Sequence, residues 1–204
     1  RASAVAGCAR SVSLPGGSVP AKHGDVLAAA GADAREVVIV GFPGMLGLDL
    51  VGPLEVFAMA NRFGADPPYE LSVVSTTGGA IAASSGLVVG TEPVGTVAGA
   101  VDTLIVAGGY DVGRAAADED LIAWVRRTAV SARRVASVCT GAVVLARAGL
   151  LDQRRATTHW SACEALAAHF PSTRVETDQV YVRDGDVWTS AGVTAGMDLA
   201  LALV

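Results

Sequence analysis

The chain has 204 residues, 51% of them hydrophobic and 17% charged, with a formal net charge of −5. At that length one domain around one good core is the default, and the acidic balance argues against this chain gripping nucleic acid by itself. No apolar run reaches a membrane span. Three widely separated cysteines (Cys8, Cys139 and Cys163) and no secretory signal predict a reducing, cytoplasmic setting without disulfides.

Residues 1–34 are rich in Ala, Ser and Gly and are broken by Pro15-Gly16-Gly17 and Pro20, which predicts a mobile leader with at most a short helix near Asp25–Ala30. Val5-Ala6-Gly7-Cys8 resembles a lipidation site but lacks the apolar stretch that should precede it. Order is expected from a strand over Glu36–Phe42, followed by a helix from Pro53, a good first-turn residue, to Arg62, closed by Gly64. Glycines 41, 44 and 47 lie between them without the G-x-G-x-x-G spacing, and no phosphate-binding P-loop occurs, so no nucleotide cofactor is expected.

Tyr69–Ser75 reads as a second strand, Thr76–Gly79 as a turn, and Ile81–Ala83 and Leu87–Val89 as short β pieces. Asp102–Ala107 is a buried strand running into Gly108-Gly109, and Asp118–Ala129 is a helix with Leu121, Trp124 and Val125 on one face. Arg134–Val138 leads without a loop into Cys139 and a helix stopped by Gly149. Arg155–Thr158 is a further strand, and Ser161-Ala162-Cys163-Glu164 is a capping box opening a helix to His169. Val180–Arg183 and Val187–Ser190 flank Asp184-Gly185 as a hairpin, and Ala195–Val204 begins the last helix. Runs such as Val37–Val40 suit strands buried on both faces, and the alternation predicts an α/β chain: a parallel sheet covered by helices, right-handed crossovers and a small antiparallel appendage. The Arg pairs 126–127, 133–134 and 154–155 are scattered and expected on solvated faces. The chain opens on Arg and stops at Val204 inside a helical pattern, which predicts native sequence beyond one or both ends.

The chemistry centres on Cys139. A strand that turns at once into a helix leaves no room for bulk two positions either side, and Ser137 and Gly141 stand there, the steric logic of a nucleophile elbow. Such a corner lifts the sulfur above the sheet at a helix N-terminus, where free N–H groups and the dipole favour thiolate. In a parallel sheet ligands sit beyond the carboxyl ends of the strands. Gly108 and Gly109, with the Cys139 and Thr140 amides, then form a candidate oxyanion hole. Tyr110, Asp49 and His159 fall on the same rim. The plainer alternatives are a turn for the glycines, a helix cap for Asp49 and a half-buried structural His159. Cys163 and Cys8 read as structural, and His23, His159 and His169 have no metal-ligand spacing.

Ser137-Val138-Cys139-Thr140-Gly141, Leu48-Asp49-Leu50-Val51-Gly52-Pro53-Leu54-Glu55-Val56-Phe57, Ala83-Ser84-Ser85-Gly86-Leu87 and Ala156-Thr157-Thr158-His159-Trp160 together resemble the ThiJ/PfpI superfamily of class I glutamine amidotransferase-like proteins. The resemblance runs from about Glu36 to Val204. It implies a flavodoxin-like sheet with helices on both faces, a cysteine at the elbow and a homodimer, for which Leu54–Ala60, exposing Leu and Phe, is the candidate surface. Peptidase-like members often carry His after the cysteine and a glutamate on the first helix region. Thr140 and Asp49 stand in those places here, a departure from the protease pattern. Isonitrile hydratases share the Asp, the Cys-Thr-Gly and the Ala-Thr-Thr-His-Trp segment. The sensor domains of AraC-type transcription regulators share these and also Gly149-Leu150-Leu151-Asp152, Val182-Arg183-Asp184-Gly185 and the stretch 187–204. The resemblance therefore implies a domain that senses a small molecule and dimerises, with DNA contact left to a helix-turn-helix module outside this chain. As a hydratase, the alternative, Cys139 would be the nucleophile and Asp49 the general acid/base, with the Gly108, Gly109 and Thr140 amides holding the developing charge.

Overall fold

A computed structural model describes residues 34–204. The expected leader and its short helix near Asp25–Ala30 fall outside them, residue 34 apart. In chain order the elements are β1 (Arg35–Val40), α1 (Gly47–Arg62), β2 (Tyr69–Ser75), β3 (Gly79–Ala82), β4 (Val88–Pro93), β5 (Val101–Val106), α2 (Val112–Ala117), α3 (Glu119–Ser131), β6 (Arg134–Val138), α4 (Ala142–Arg147), β7 (Arg155–Ala156), α5 (Cys163–His169), β8 (Arg174–Val175), β9 (Tyr181–Asp184), β10 (Val187–Ser190) and α6 (Thr194–Leu203). The main sheet has the order β3-β4-β2-β1-β5-β6-β10-β9. Its six inner strands are parallel, and β3 and β9 close its two edges by antiparallel pairing.

β1 lies between β2 and β5, and Val37, Val38, Ile39 and Val40 are all fully buried, as a strand covered on both faces must be. α1 and α6 pack on each other, and α2, α3 and α4 pack together as a separate group. The chain crosses to opposite sides of β1 on its way to β2 and to β5. That divergence opens the carboxyl end of the sheet, where Leu46, Gly108 and Cys139 follow neighbouring strands.

Several expectations need correction. The first helix starts at Gly47, six positions before Pro53, which lies inside it. Pro53 has no N–H to give the Asp49 carbonyl, yet the helix continues through it, so Asp49 belongs to the first turn rather than to a loop. Phe57, expected on an exposed face, is fully buried edge-to-face against Tyr69, with ring centroids 4.8 Å apart. The large exposed apolar side chains at that end of α1 are Met59 and Phe63. Arg134 is not on a solvated face. It is buried, with its Nε donating to Thr103 Oγ1 at 2.7 Å and its Nη2 without a hydrogen bond among the described residues. The capping box does not form: a short 3₁₀ turn, Trp160–Ala162, precedes α5, and Ala162 provides no side-chain cap. The expected antiparallel hairpin is β9–β10, a second antiparallel pair, β3–β4, closes the other edge of the sheet, and α2 is a further helix.

Close backbone approach makes Gly141 the tightest point of the sheet's open end. A Cβ there would fall onto the Val106 and Ala107 carbonyls, whereas one at Gly113 on α2 would meet nothing within 4 Å. Gly141→Ala should therefore cost about 2 kcal/mol by overpacking, lowering the thermal midpoint by roughly 4–8 °C. Gly113→Ala should leave it unchanged or slightly higher. Calorimetry on the two variants checks this.

Candidate functional site

β6 ends in ordinary extended backbone at Val138, and Cys139 then turns to φ 55° before the 3₁₀ turn Cys139–Gly141 hands over to α4. A non-glycine residue held at positive φ costs about 1–3 kcal/mol and persists only where its surroundings fix it. Three neighbours do so here. Gly141 presses on β5, Gly108 has no room for a Cβ against Thr140 N (2.6 Å) and Cys139 Cβ (2.7 Å), and at Gly192 a Cβ would lie 2.8 Å from Cys139 Sγ. Ser137 is fully buried, and its hydroxyl has no partner among the described residues. Thr158, just past β7, donates its hydroxyl to the Cys139 carbonyl at 2.8 Å.

Asp49 is fully buried in the first turn of α1. Its Oδ1 accepts the Val193 N–H at 2.9 Å, and its Oδ2 has no hydrogen-bond partner among the described residues. Burial is the largest influence and raises the carboxyl above its usual range. Against it act the Val193 amide, the Cys139 thiol, the Gly108 amide and His159, in that order. Burial also pushes the Cys139 thiol up to about 12, and the Asp49 charge adds to it, against smaller help from the Thr140 amide and hydroxyl. The expectation of a ready thiolate is therefore not met. A six-residue helix reached through a 3₁₀ turn does not outweigh desolvation beside a carboxylate. The coupling is one-sided in sign: the carboxylate disfavours the thiolate, while the thiol, as a donor, favours the carboxylate.

The expected oxyanion hole also changes. The Gly109 N–H donates to Thr140 Oγ1 at 2.8 Å, and the Thr140 hydroxyl donates back to the Gly109 carbonyl at 2.8 Å. This clasp uses up the Gly109 amide, and the Gly108 amide is turned toward Asp49. The Thr140 amide alone keeps a bearing on the sulfur. Gly108 O accepts from Leu46 N–H at 2.8 Å, which ties the loop after β1 to the loop after β5.

Above the sulfur lies a cavity of about 230 Å³, lined by Leu46, Gly109, Tyr110, Val112, Cys139, Thr140, His159, Ser161 and Val193. The structure thus gathers Cys139, Thr140, Gly109, Tyr110 and His159 in one place, with Asp49 and Gly108 behind the wall. His159 is half-buried. Its Nδ1 lies 2.8 Å from the Ser161 hydroxyl and also receives the Ser161 N–H at 3.4 Å. Leu46, Val112, Ser161 and Val193 escaped the sequence reading. Val193 in particular carries no local signal, since a β-branched residue at φ 51° is not something composition announces. A second cavity of about 270 Å³ opens at the ends of β1 and β2, lined among others by Ser75, Thr76, Arg114 and Asp118, and includes none of these residues. Among the described residues no three His, Cys, Asp or Glu side chains gather as a metal ion would require.

A parallel α/β sheet that presents a cysteine on a strained strand-to-helix corner, backed by a buried carboxyl group, defines a class of elbow-cysteine proteins. Within it, this chain belongs to the DJ-1/PfpI family, whose model matches residues 35–204. The chain is 38% identical over 162 residues to the HTH-type transcriptional regulator CdhR of Pseudomonas aeruginosa, covering 79% of this chain and 47% of that protein. It is 35% identical over 170 residues to an isonitrile hydratase of Pseudomonas putida, covering 83% of this chain and 71% of that enzyme. Among solved structures, a ThiJ/PfpI family protein from Pseudomonas syringae superposes with a TM-score of 0.73 at 32% identity, over 83% of this chain and 67% of that one. The chain thus spans about half the length of the regulator it matches. No helix among the described residues is long and apolar enough to cross a membrane.

With the thiol at about 12, alkylation of Cys139 by iodoacetamide should be slow at pH 7 and rise about tenfold per pH unit toward that value. Asp49→Asn keeps an oxygen for the Val193 amide and removes the charge that disfavours thiolate. Labelling at pH 8 should then accelerate roughly tenfold, the effect of one pKa unit. Slower labelling in the variant, read by mass spectrometry, would mean that the carboxylate helps to take the thiol proton.

Proposed function

We propose that this domain is the ligand-sensing and dimerising part of an AraC-type transcription regulator, acting in the cytoplasm, with a small molecule held over Cys139. The observation that carries the reading is the resting state of the site. The thiol is kept protonated by burial and by Asp49, and the Gly109 amide is clasped by Thr140. Such a site offers a shaped, partly polar cavity rather than a free thiolate facing open amide donors. The likeness to CdhR supports it, and the net charge of −5 suits a domain that leaves DNA to a basic module in another part of the protein. Cys139, Thr140, Gly109, Tyr110 and His159 contact the ligand in this reading. Asp49 and Gly108 position Cys139.

The second reading, an isonitrile hydratase-like enzyme, is favoured by the Asp49–Cys139 pair itself and by the 35% identity to such an enzyme. There the sulfur adds to the isonitrile carbon, Asp49 carries the thiol proton to the developing carbanion, and water then displaces the sulfur to leave a formamide. The domain incubated with alkyl and aryl isonitriles should form no formamide above a Cys139→Ala blank. Turnover dependent on Cys139 would overturn the sensor reading.

A homodimer is part of the same proposal. Met59 on α1 and Phe63 just past its end are exposed apolar side chains of the kind a two-fold contact covers. Light scattering at micromolar concentration should give twice the chain mass, and Phe63→Glu should return it to the single mass.

A further inference from the structure

α6 begins at an unusual joint. Gly192 has φ 121°, and Val193, the residue before the helix, has φ 51° and ψ −112°, a conformation that a β-branched side chain rarely adopts. No side chain caps this helix. Its first turn is held by backbone bonds from Ala195 N–H to Gly192 O (3.0 Å) and from Gly196 N–H to Val193 O (3.2 Å). The Val193 N–H itself is held by Asp49 Oδ1, and the Val193 side of the joint lines the cavity.

The same joint touches the elbow from below. Gly192 lies against Cys139 Cβ and Sγ, and a Cβ on Gly196 would come within 2.6 Å of Val138 Cγ1, on the residue before the cysteine. On its other side α6 meets α1, where a Cβ on Gly52 would lie 2.9 Å from Met197 Cγ. The helix ends with Val204 O accepting the Tyr69 hydroxyl at 3.4 Å, at the first residue of β2 and so at the opposite end of the sheet from the cavity. α6 therefore runs from the cysteine to the far end of the domain, and its start is strained.

Asp49 has two oxygens and two tasks. Oδ1 holds Val193, Oδ2 is buried without a hydrogen bond among the described residues, and the carboxyl group interacts with the Cys139 thiol. A group that gives Oδ2 a donor, or that presses on Val193 from the cavity, changes the balance that keeps Val193 at positive φ. Strain of this kind makes an element bistable rather than smoothly deformable. We propose that Asp49 and Val193 form a relay through which a group entering the cavity over Cys139 reseats α6. The relay rests on the sensor reading for its purpose, though not for its physics.

The test is hydrogen exchange read by mass spectrometry on the domain with Cys139 as its sole thiol (Cys8→Ser, Cys163→Ala), before and after complete alkylation with iodoacetamide. The carboxamidomethyl group serves as the probe occupant. Amides of residues 194–200 should exchange at least fivefold faster after labelling, while those of β1 and β5 stay within twofold. Val193→Gly adopts the same backbone without strain, and in it labelling should change α6 exchange by less than twofold. Unchanged α6 exchange in the labelled Val193 protein overturns the relay, as does a full response in Val193→Gly. The measurement uses neither DNA nor a natural ligand, so loss of the regulator reading through isonitrile turnover would leave its outcome standing.

Discussion

The pairing of a buried carboxyl with a buried thiol is the constraint on which this domain is arranged. Burial raises the cost of ionising both Asp49 and Cys139, and the carboxylate charge raises that of the thiol further. Holding them together takes the N-terminal turn of α1, the corner after β6, the glycine loop after β5 and the joint before α6. Four segments far apart in sequence thus converge within hydrogen-bond reach of a few atoms. The glycines at 108, 141 and 192 exist to allow that approach, because a single methyl at any of them overlaps backbone or the cysteine itself.

The sheet supplies the rigidity this convergence needs. β1, β5 and β6 stand side by side in parallel register, so their carboxyl ends present Leu46, Gly108 and Cys139 in one row. Parallel strands covered on both faces leave little freedom for slippage, since every residue of Val37–Val40 is packed. The tolerance for irregular backbone is spent at the row's edge. Cys139 and Val193 sit at positive φ there, and Pro53 interrupts the hydrogen bonding of α1 opposite Asp49. Local rules are broken together, next to the site.

Much of this was legible in the sequence. The elbow was readable because Ser137 and Gly141 bracket Cys139 between a β-branched run and a helical one, and the α/β class followed from alternating elements. The sequence reading placed Asp49, Thr140, the paired glycines and His159 at one rim; Thr140, Gly109 and His159 line the cavity, and Asp49 and Gly108 lie behind its wall. The failures share a cause. Pro53 suggested a helix start because local propensity favours it there, but α1 is fixed by packing and starts earlier. The thiolate was inferred from helix position, and burial, a property of the whole fold, reversed the sign. Gly109 was assigned a free amide, and the Thr140 hydroxyl, 31 residues away in sequence, occupies it. Arg134 looked like one of several surface arginines because no sequence pattern reveals that Thr103, also 31 residues away, awaits its Nε.

That last contrast bears on what separates binding from catalysis within one family fold. An elbow cysteine becomes a nucleophile when a cation or a free amide array stabilises its thiolate. Here the nearest acid is a carboxyl, the residue after the cysteine is a threonine that engages its neighbour loop, and His159 turns its Nδ1 toward Ser161 rather than the sulfur. The carboxyl lowers the charge the sulfur can hold at rest, and Thr140 gives that charge only modest support. Each also hardens the cavity wall: the Thr140–Gly109 clasp fixes the loop after β5, and Asp49 fixes the start of α6. The same contacts that quiet the thiol therefore make the pocket rigid and connect it to a helix.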